Sequence, residues 1–201
     1  KKGDGPFDLN SGANWGSGIP NSSVDAFIIL NASGAGVMQQ VDTNGSAFAA
    51  NNLSITNTSA AGKGDLLIYF KGTTTITSNL LFAGLTAGNI TLLNFSNSVT
   101  FLNATFAGGA AGNATMSFAG ASSVTGSNLT FSSGAGNNTL VISASGGVNL
   151  TSNLTITVTN ANNSIIIATN MTVAGRLFNT GNQAGYFTIT NGTLTVSNGV
   201  R

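Results

Sequence analysis

The chain lacks cysteine, histidine and glutamate altogether, and holds only two prolines and one tryptophan in 201 residues. Without Cys or His there is no disulfide, no thiol nucleophile, no imidazole base and none of the usual zinc ligands. Charge is almost as scarce: six Lys or Arg and five Asp leave a net charge of +1, where about a quarter of residues is ordinary. Between Gly72 and Val200 the only charged side chain is Arg176. Neither nucleic acid nor membrane insertion is expected as a partner, since the chain has no basic patch and no run near the ~18 apolar residues of a membrane helix. Opening on Lys1 without Met, the chain reads as a processed or excised segment, in keeping with export.

What replaces charge is small and polar: 27 Gly, 27 Asn, 26 Thr and 22 Ser. These residues disfavour helix interiors, either through backbone entropy or by competing for backbone hydrogen bonds. Disorder is excluded by the 41% of hydrophobic residues, which recur in alternation and can bury a continuous core. Four segments share one template: SNLLFAGLTAGNITLL from Ser78, LNATFAGGAAGNATMSF from Leu102, GSNLTFSSGAGNNTLVI from Gly126 and TSNLTITVTNANNSIII from Thr151. Each reads Asn, apolar, Thr, apolar, a Gly/Ala bend, Asn again, then a second alternating run. The first Asn falls at Asn52, Asn79, Asn103, Asn128 and Asn153, the second at Asn89, Asn113, Asn137 and Asn162.

A period of about 24 residues holding short alternating strands predicts a parallel β-helix, with three strands per coil and about six coils. Residues 1–48 are expected to form an N-terminal capping segment and first coil, and residues 49–201 the β-helix. Stacking coil on coil places Leu53, Leu80, Leu129 and Leu154 in one inward column, with Ala104 as a gap. Ile55, Phe82, Phe106, Phe131 and Ile156 form the next, and Leu66, Leu92, Met116, Leu140, Ile165 and Phe187 line a second face. A third short strand is expected around Val99, Val124, Val148 and Val173. Thr105, Thr130 and Thr155 point outward, with Leu81 interrupting their column. Asn at both bends suits left-handed backbone and amide-to-amide bonding along the stack.

Sixteen N-x-S/T sequons occur, and eight of them are the bend asparagines followed by the outward Thr or Ser. The other eight, Asn21, Asn31, Asn44, Asn57, Asn94, Asn149, Asn170 and Asn191, are candidate glycosylation sites. No D-x-D-x-D loop supports a calcium site, and Asp4 with Asp8 is the sole metal candidate weighed and set aside. The solenoid offers no carboxylate pair for a glycosidase and no base to activate a serine. No catalytic residue, cofactor or metal is therefore expected, and the chain does not read as an enzyme.

The segment GANWGSGIPNSSVDAFIIL, residues 12 to 30, with the closing FTITNGTLTVSNGV, resembles bacterial autotransporter passengers and haemagglutinin-like adhesins. That resemblance implies a right-handed parallel β-helix, secreted to the cell surface for adhesion or aggregation. The scarcity of charge departs from the pattern. Within the N-terminal segment 1–48, Trp15 and Phe7 are candidates to cover the first coil, with Pro6 and Pro20 stiffening the loop. Val196 and Val200 mark a last coil with no polar helix to close it. The leading expectation is a self-associating extracellular subunit that stacks head to tail into a fibre, sheath or matrix. The alternative is an adhesive passenger segment binding glycans of a host or neighbouring cell.

Overall fold

The computed structural model describes residues 7–9, 11–16, 18–33, 36–84, 89–108, 113–181 and 186–201. The alternating apolar runs form β-strands with almost no helix beyond one short 3-10 turn at Gly12–Asn14. The first coil is β1 (Phe7–Asp8), β2 (Ala26–Leu30), β3 (Val37–Asp42) and β4 (Phe48–Ala50). Next come β5 (Leu53–Asn57), β6 (Gly64–Phe70), β7 (Thr74–Gly84), β8 (Ile90–Phe95) and β9 (Val99–Ala107). The chain continues through β10 (Asn113–Ser117), β11 (Val124–Ser132), β12 (Asn137–Ile142), β13 (Val148–Leu150) and β14 (Leu154–Thr157). It closes with β15 (Ser164–Ile167), β16 (Met171–Val173), β17 (Leu177–Asn179), β18 (Phe187–Ile189) and β19 (Leu194–Val196).

Every described pairing between these strands is parallel, and together they wind into a β-solenoid of about 6 coils with about 24 residues per turn. Two sheets form its walls: one runs β1-β3-β6-β8-β10-β12-β15-β18, the other β19-β16-β13-β11-β9-β7-β5-β2 with β4, β14 and β17 joined to it. The three-run coil is distinct where Thr151, Ser152 and Asn153 separate β13 from β14. In the middle coils the third run and the next coil's first run continue as one strand, 9 residues long in β9 and β11.

The two inward columns of the first run stand as the repeat predicts. Ala26, Leu53, Leu80, Ala104, Leu129, Leu154 and Leu177 share one register position. Beside them lie Ile28, Ile55, Phe82, Phe106, Phe131 and Ile156, and Phe106 has its ring centroid 5.0 Å from both Phe82 and Phe131. A second aromatic stack crosses the same core through Phe48, Phe70, Phe95 and Phe118, nearly coplanar at 5.1 and 5.3 Å in its last two steps.

The second face differs from expectation at its two earliest positions, by one residue at Leu92 and by two at Leu66. Met116, Leu140, Ile165 and Phe187 are in register, but the column continues through Leu93, Ile68 and Val41. Leu66 is buried one row away, opposite Gln39 and Thr91, and Leu92 is only half-buried. The cause is Asn89, which is drawn inside the bend so that Ile90, not Asn89, faces Asn113. A slip of one residue turns every side chain of a strand to its opposite face. Thr91 consequently points inward, where its hydroxyl accepts a hydrogen bond from Asn57 at 3.1 Å. The third short strand stands where expected, in β9, β11, β13 and β16; within it Val99, Val124, Val148 and Met171 share one register position, and Val173 aligns with Leu150 and Val196.

Glycine is required at one core position. Gly126 lies opposite Phe101 in register, and a Cβ there would sit 2.1 Å from the Phe101 ring. Gly126→Ala is expected to cost about 1–3 kcal/mol by overpacking. Phe101→Leu in the same chain should recover part of the loss, read as the guanidinium midpoint. An undiminished loss in the double variant would place the strain elsewhere.

Candidate functional site

The solenoid presents three chemically distinct regions: its polar bends, its outward strand faces and its two ends. At the first bend the repeated asparagine forms a continuous ladder. Asn52 Nδ2 donates to Asp25 at 2.8 Å, Asn79 Nδ2 to Asn52 at 2.8 Å, Asn103 to Asn79 at 3.0 Å and Asn128 to Asn103 at 2.9 Å. Asn153 continues the series onto Asn128, and its own Oδ1 accepts the Arg176 backbone N–H at 2.9 Å. Each amide thus offers a donor to one coil and an acceptor to the next, which is why Asn recurs there. Hydrogen bonds from Asn52 and then Asn51 hold the exposed Asp25 carboxyl below its ordinary range. Its share of stability is therefore present above the unfolded carboxylate pKa and fades as pH falls through the lowered folded value.

The second bend is less regular. Asn137 donates to Asn113 at 2.8 Å, but Asn89 leaves the series and turns inward, accepting from the N–H groups of Lys63 and Gly64. Asn162 is exposed, and the buried pair beside it, Asn138 and Asn163, carries the coil-to-coil bond at 2.7 Å. Among the described residues no buried side-chain nitrogen or oxygen lacks a partner.

The eight candidate glycosylation sites do not share one environment. Asn21, Asn31, Asn44, Asn149, Asn170 and Asn191 are exposed, and Asn94 is half-buried with its amide on Ser96 Oγ. Asn57 is 1% exposed, its amide donating to Gly64 O and Thr91 Oγ1. A glycan there is incompatible with this packing, so Asn57 is withdrawn as a candidate.

One outward column was not foreseen. Thr75, Thr100, Thr125, Asn149, Thr172 and Thr195 stand at one register position on the third run, and all but Thr75 are exposed. The T-x-T strings of the sequence hinted at it, but the middle coils hide the run inside longer strands.

At the N-terminal end, Trp15 packs on Phe48 with ring centroids 6.2 Å apart, and its indole N–H donates to Leu9 O at 2.7 Å. Leu9 is buried beneath it, and Pro20 is buried nearby. Asp4, Pro6 and the side chain of Phe7 lie outside the described residues; the Phe7 backbone forms β1. A cavity of about 180 Å³ separates this cap from β2. At the opposite end Leu194 and Val196 are half-buried against the core, while Val200, bridged to Leu177, is 63% exposed. Arg176 is half-buried beside them.

Among the described residues no three His, Cys, Asp or Glu side chains gather to hold a metal, and no helix is long and apolar enough to cross a membrane. Lys71 and Asp42 form an ion pair between neighbouring early coils. Compared with family models, curated proteins and solved structures, the chain matches none.

Proposed function

We propose that this chain is an architectural, non-catalytic β-solenoid of an extracellular fibre, sheath or matrix, and that it joins end on to a second copy. One observation carries the reading: the apolar side chains left in water gather at the two ends. Among the described residues, Ile19, Val24, Phe27, Ile29 and Met38 precede or belong to the first coil and Ile189 and Val200 belong to the final described one, with Leu81, Ile90 and Leu102 the comparably exposed ones between them. Large exposed apolar groups cost free energy unless a partner covers them, and in a solenoid the natural cover is another coil. The side walls, by contrast, are wetted by Asn, Thr and Ser and carry almost no charge. Contact between unlike ends propagates without closing, so its product is a filament.

The test is negative-stain microscopy and sedimentation velocity of the 201-residue chain across a concentration series. Unbranched filaments one solenoid wide are expected, lengthening with concentration. Single rods about 30 Å long at every concentration would overturn the reading and favour a monomeric passenger segment that binds glycans through its side walls.

A further inference from the structure

The exposed sequon asparagines differ in what already occupies them. Asn21 Oδ1 accepts from Ser23 N–H at 2.9 Å and Asn170 Oδ1 from Thr193 N–H at 3.1 Å, so each serves its own bend. Asn44 holds a left-handed backbone with φ at 49°, a conformation that asparagine tolerates better than most side chains. Asn31 and Asn191 lie between strands, where asparagine is ordinary. Asn149 alone among them stands inside a strand, β13.

Strand interiors disfavour asparagine, and the register shows what the position otherwise holds: Thr75, Thr100 and Thr125 before it, Thr172 and Thr195 after it. Asn149 does not recover that cost as a rung of a ladder. The bend asparagines bond to one another from coil to coil, whereas no hydrogen bond joins the Asn149 side chain to another described residue. Packing and hydrogen bonding thus give no reason for an amide here. The sequon it opens, Asn149-Leu150-Thr151, is intact, and both of its polar members are exposed.

The surroundings have room for a substituent. A groove of about 400 Å³ runs beside Asn149, lined by Ser123, Thr125, Gly146, Gly147, Asn170 and Thr172. Thr125 and Thr172 flank Asn149 one coil to either side, at the strand spacing of about 4.8 Å. Their hydroxyls both donate and accept, as the hydroxyls of a sugar ring do.

We infer that Asn149 is an N-glycosylation site, carrying a hexose or N-acetylhexosamine as its first sugar. In the transfer, Asn149 Nδ2 attacks C1 of a sugar activated as a nucleotide or lipid phosphate. The N–C1 bond forms as the C1–O bond to phosphate breaks; the phosphate leaves with the electron pair, and a base of the transferase takes one amide proton. Leu150, at the centre of the sequon, is wholly buried, so transfer precedes closure of this coil. Successive residues of a strand face opposite sides, and the folded coil therefore keeps the sugar outside while Leu150 enters the core. On a wall almost without charge the sugar adds solvation, and the site is independent of the end-on contact.

The test is intact mass and chymotryptic glycopeptide mapping of the chain isolated from the cells that make it, against the same chain made without a glycosyltransferase. One or more hexose or N-acetylhexosamine increments are expected on the peptide holding Asn149, and none on the peptide holding the buried Asn57. Asn149→Thr restores the residue type of the column, and Thr151→Val removes the sequon hydroxyl with only a 3.4 Å bond to Gly126 O. Each should lose the whole increment at this site while the far-ultraviolet dichroism is retained. A bare Asn149 in the native chain, or an increment on its peptide that survives both substitutions, would sink the inference.

Discussion

Phe106→Ala is expected to lower the unfolding free energy by about 3–5 kcal/mol, the range for emptying a fully buried aromatic site. Phe106 is wholly inaccessible and sits midway in a column, with a ring 5.0 Å away on either side. Its truncation removes two ring contacts at once, each worth about 0.5–1.5 kcal/mol beyond burial. The neighbouring inward position is Ala104, so no larger side chain on the same strand can swing in to fill the space. Because each coil touches only its neighbours, the damage should be local at first. Amides of β9 and β11 should lose exchange protection before those of β5 or β16, and the guanidinium midpoint should fall with them. Leu102→Ala, on the same strand but 49% exposed, should stay within about 0.5 kcal/mol of wild type. A Phe106→Ala loss below about 1 kcal/mol would mean that the aromatic column does not bear on stability.

The same column explains what the sequence made legible. Where the residue type itself recurs, as in the Leu and Phe columns and the Asn ladder, aligning repeats is the same operation as setting strand register. The solenoid could therefore be read before any coordinate. Identity and register part company at the second bend. Asn89 has the right type and spacing, yet it serves the inside of its bend, so the strand after it shifts by one residue. Asn137-Asn138 and Asn162-Asn163 are adjacent pairs of the same type, and nothing in composition says which partner turns inward. The Phe70, Phe95 and Phe118 stack was available as the aromatic end of three second runs, but its spacing of 25 then 23 residues blurs the period.

The adjacent asparagines also separate two kinds of ladder that look alike in sequence, and Asn163→Ala should be far costlier than Asn128→Ala. Asn163 is 2% exposed and makes four bonds: its Oδ1 accepts from the backbone N–H and Nδ2 of Asn138 at 3.1 and 2.7 Å, and its Nδ2 donates to Gly134 O and Asn160 O. Truncation takes one acceptor from both the backbone N–H and the Nδ2 of Asn138, a fully buried residue whose Nδ2 keeps its bond to Gly136 O, and takes the donor from Gly134 O and Asn160 O. An unmet buried polar group costs about 1–3 kcal/mol, so a loss of about 3 kcal/mol is expected in chemical denaturation. Asn128 lies half-exposed, where water can replace the lost amide, and about 1 kcal/mol is expected of its truncation. Asn138→Ala with Asn163→Ala should cost less than the sum of the single changes, because both single changes lose the same Asn138 Nδ2 to Asn163 Oδ1 bond. Equal losses for Asn128→Ala and Asn163→Ala would show that burial does not distinguish the ladders. A larger loss at Asn163 would identify the second bend, rather than the regular Asn ladder, as the seam that contributes more to fixing one coil on the next.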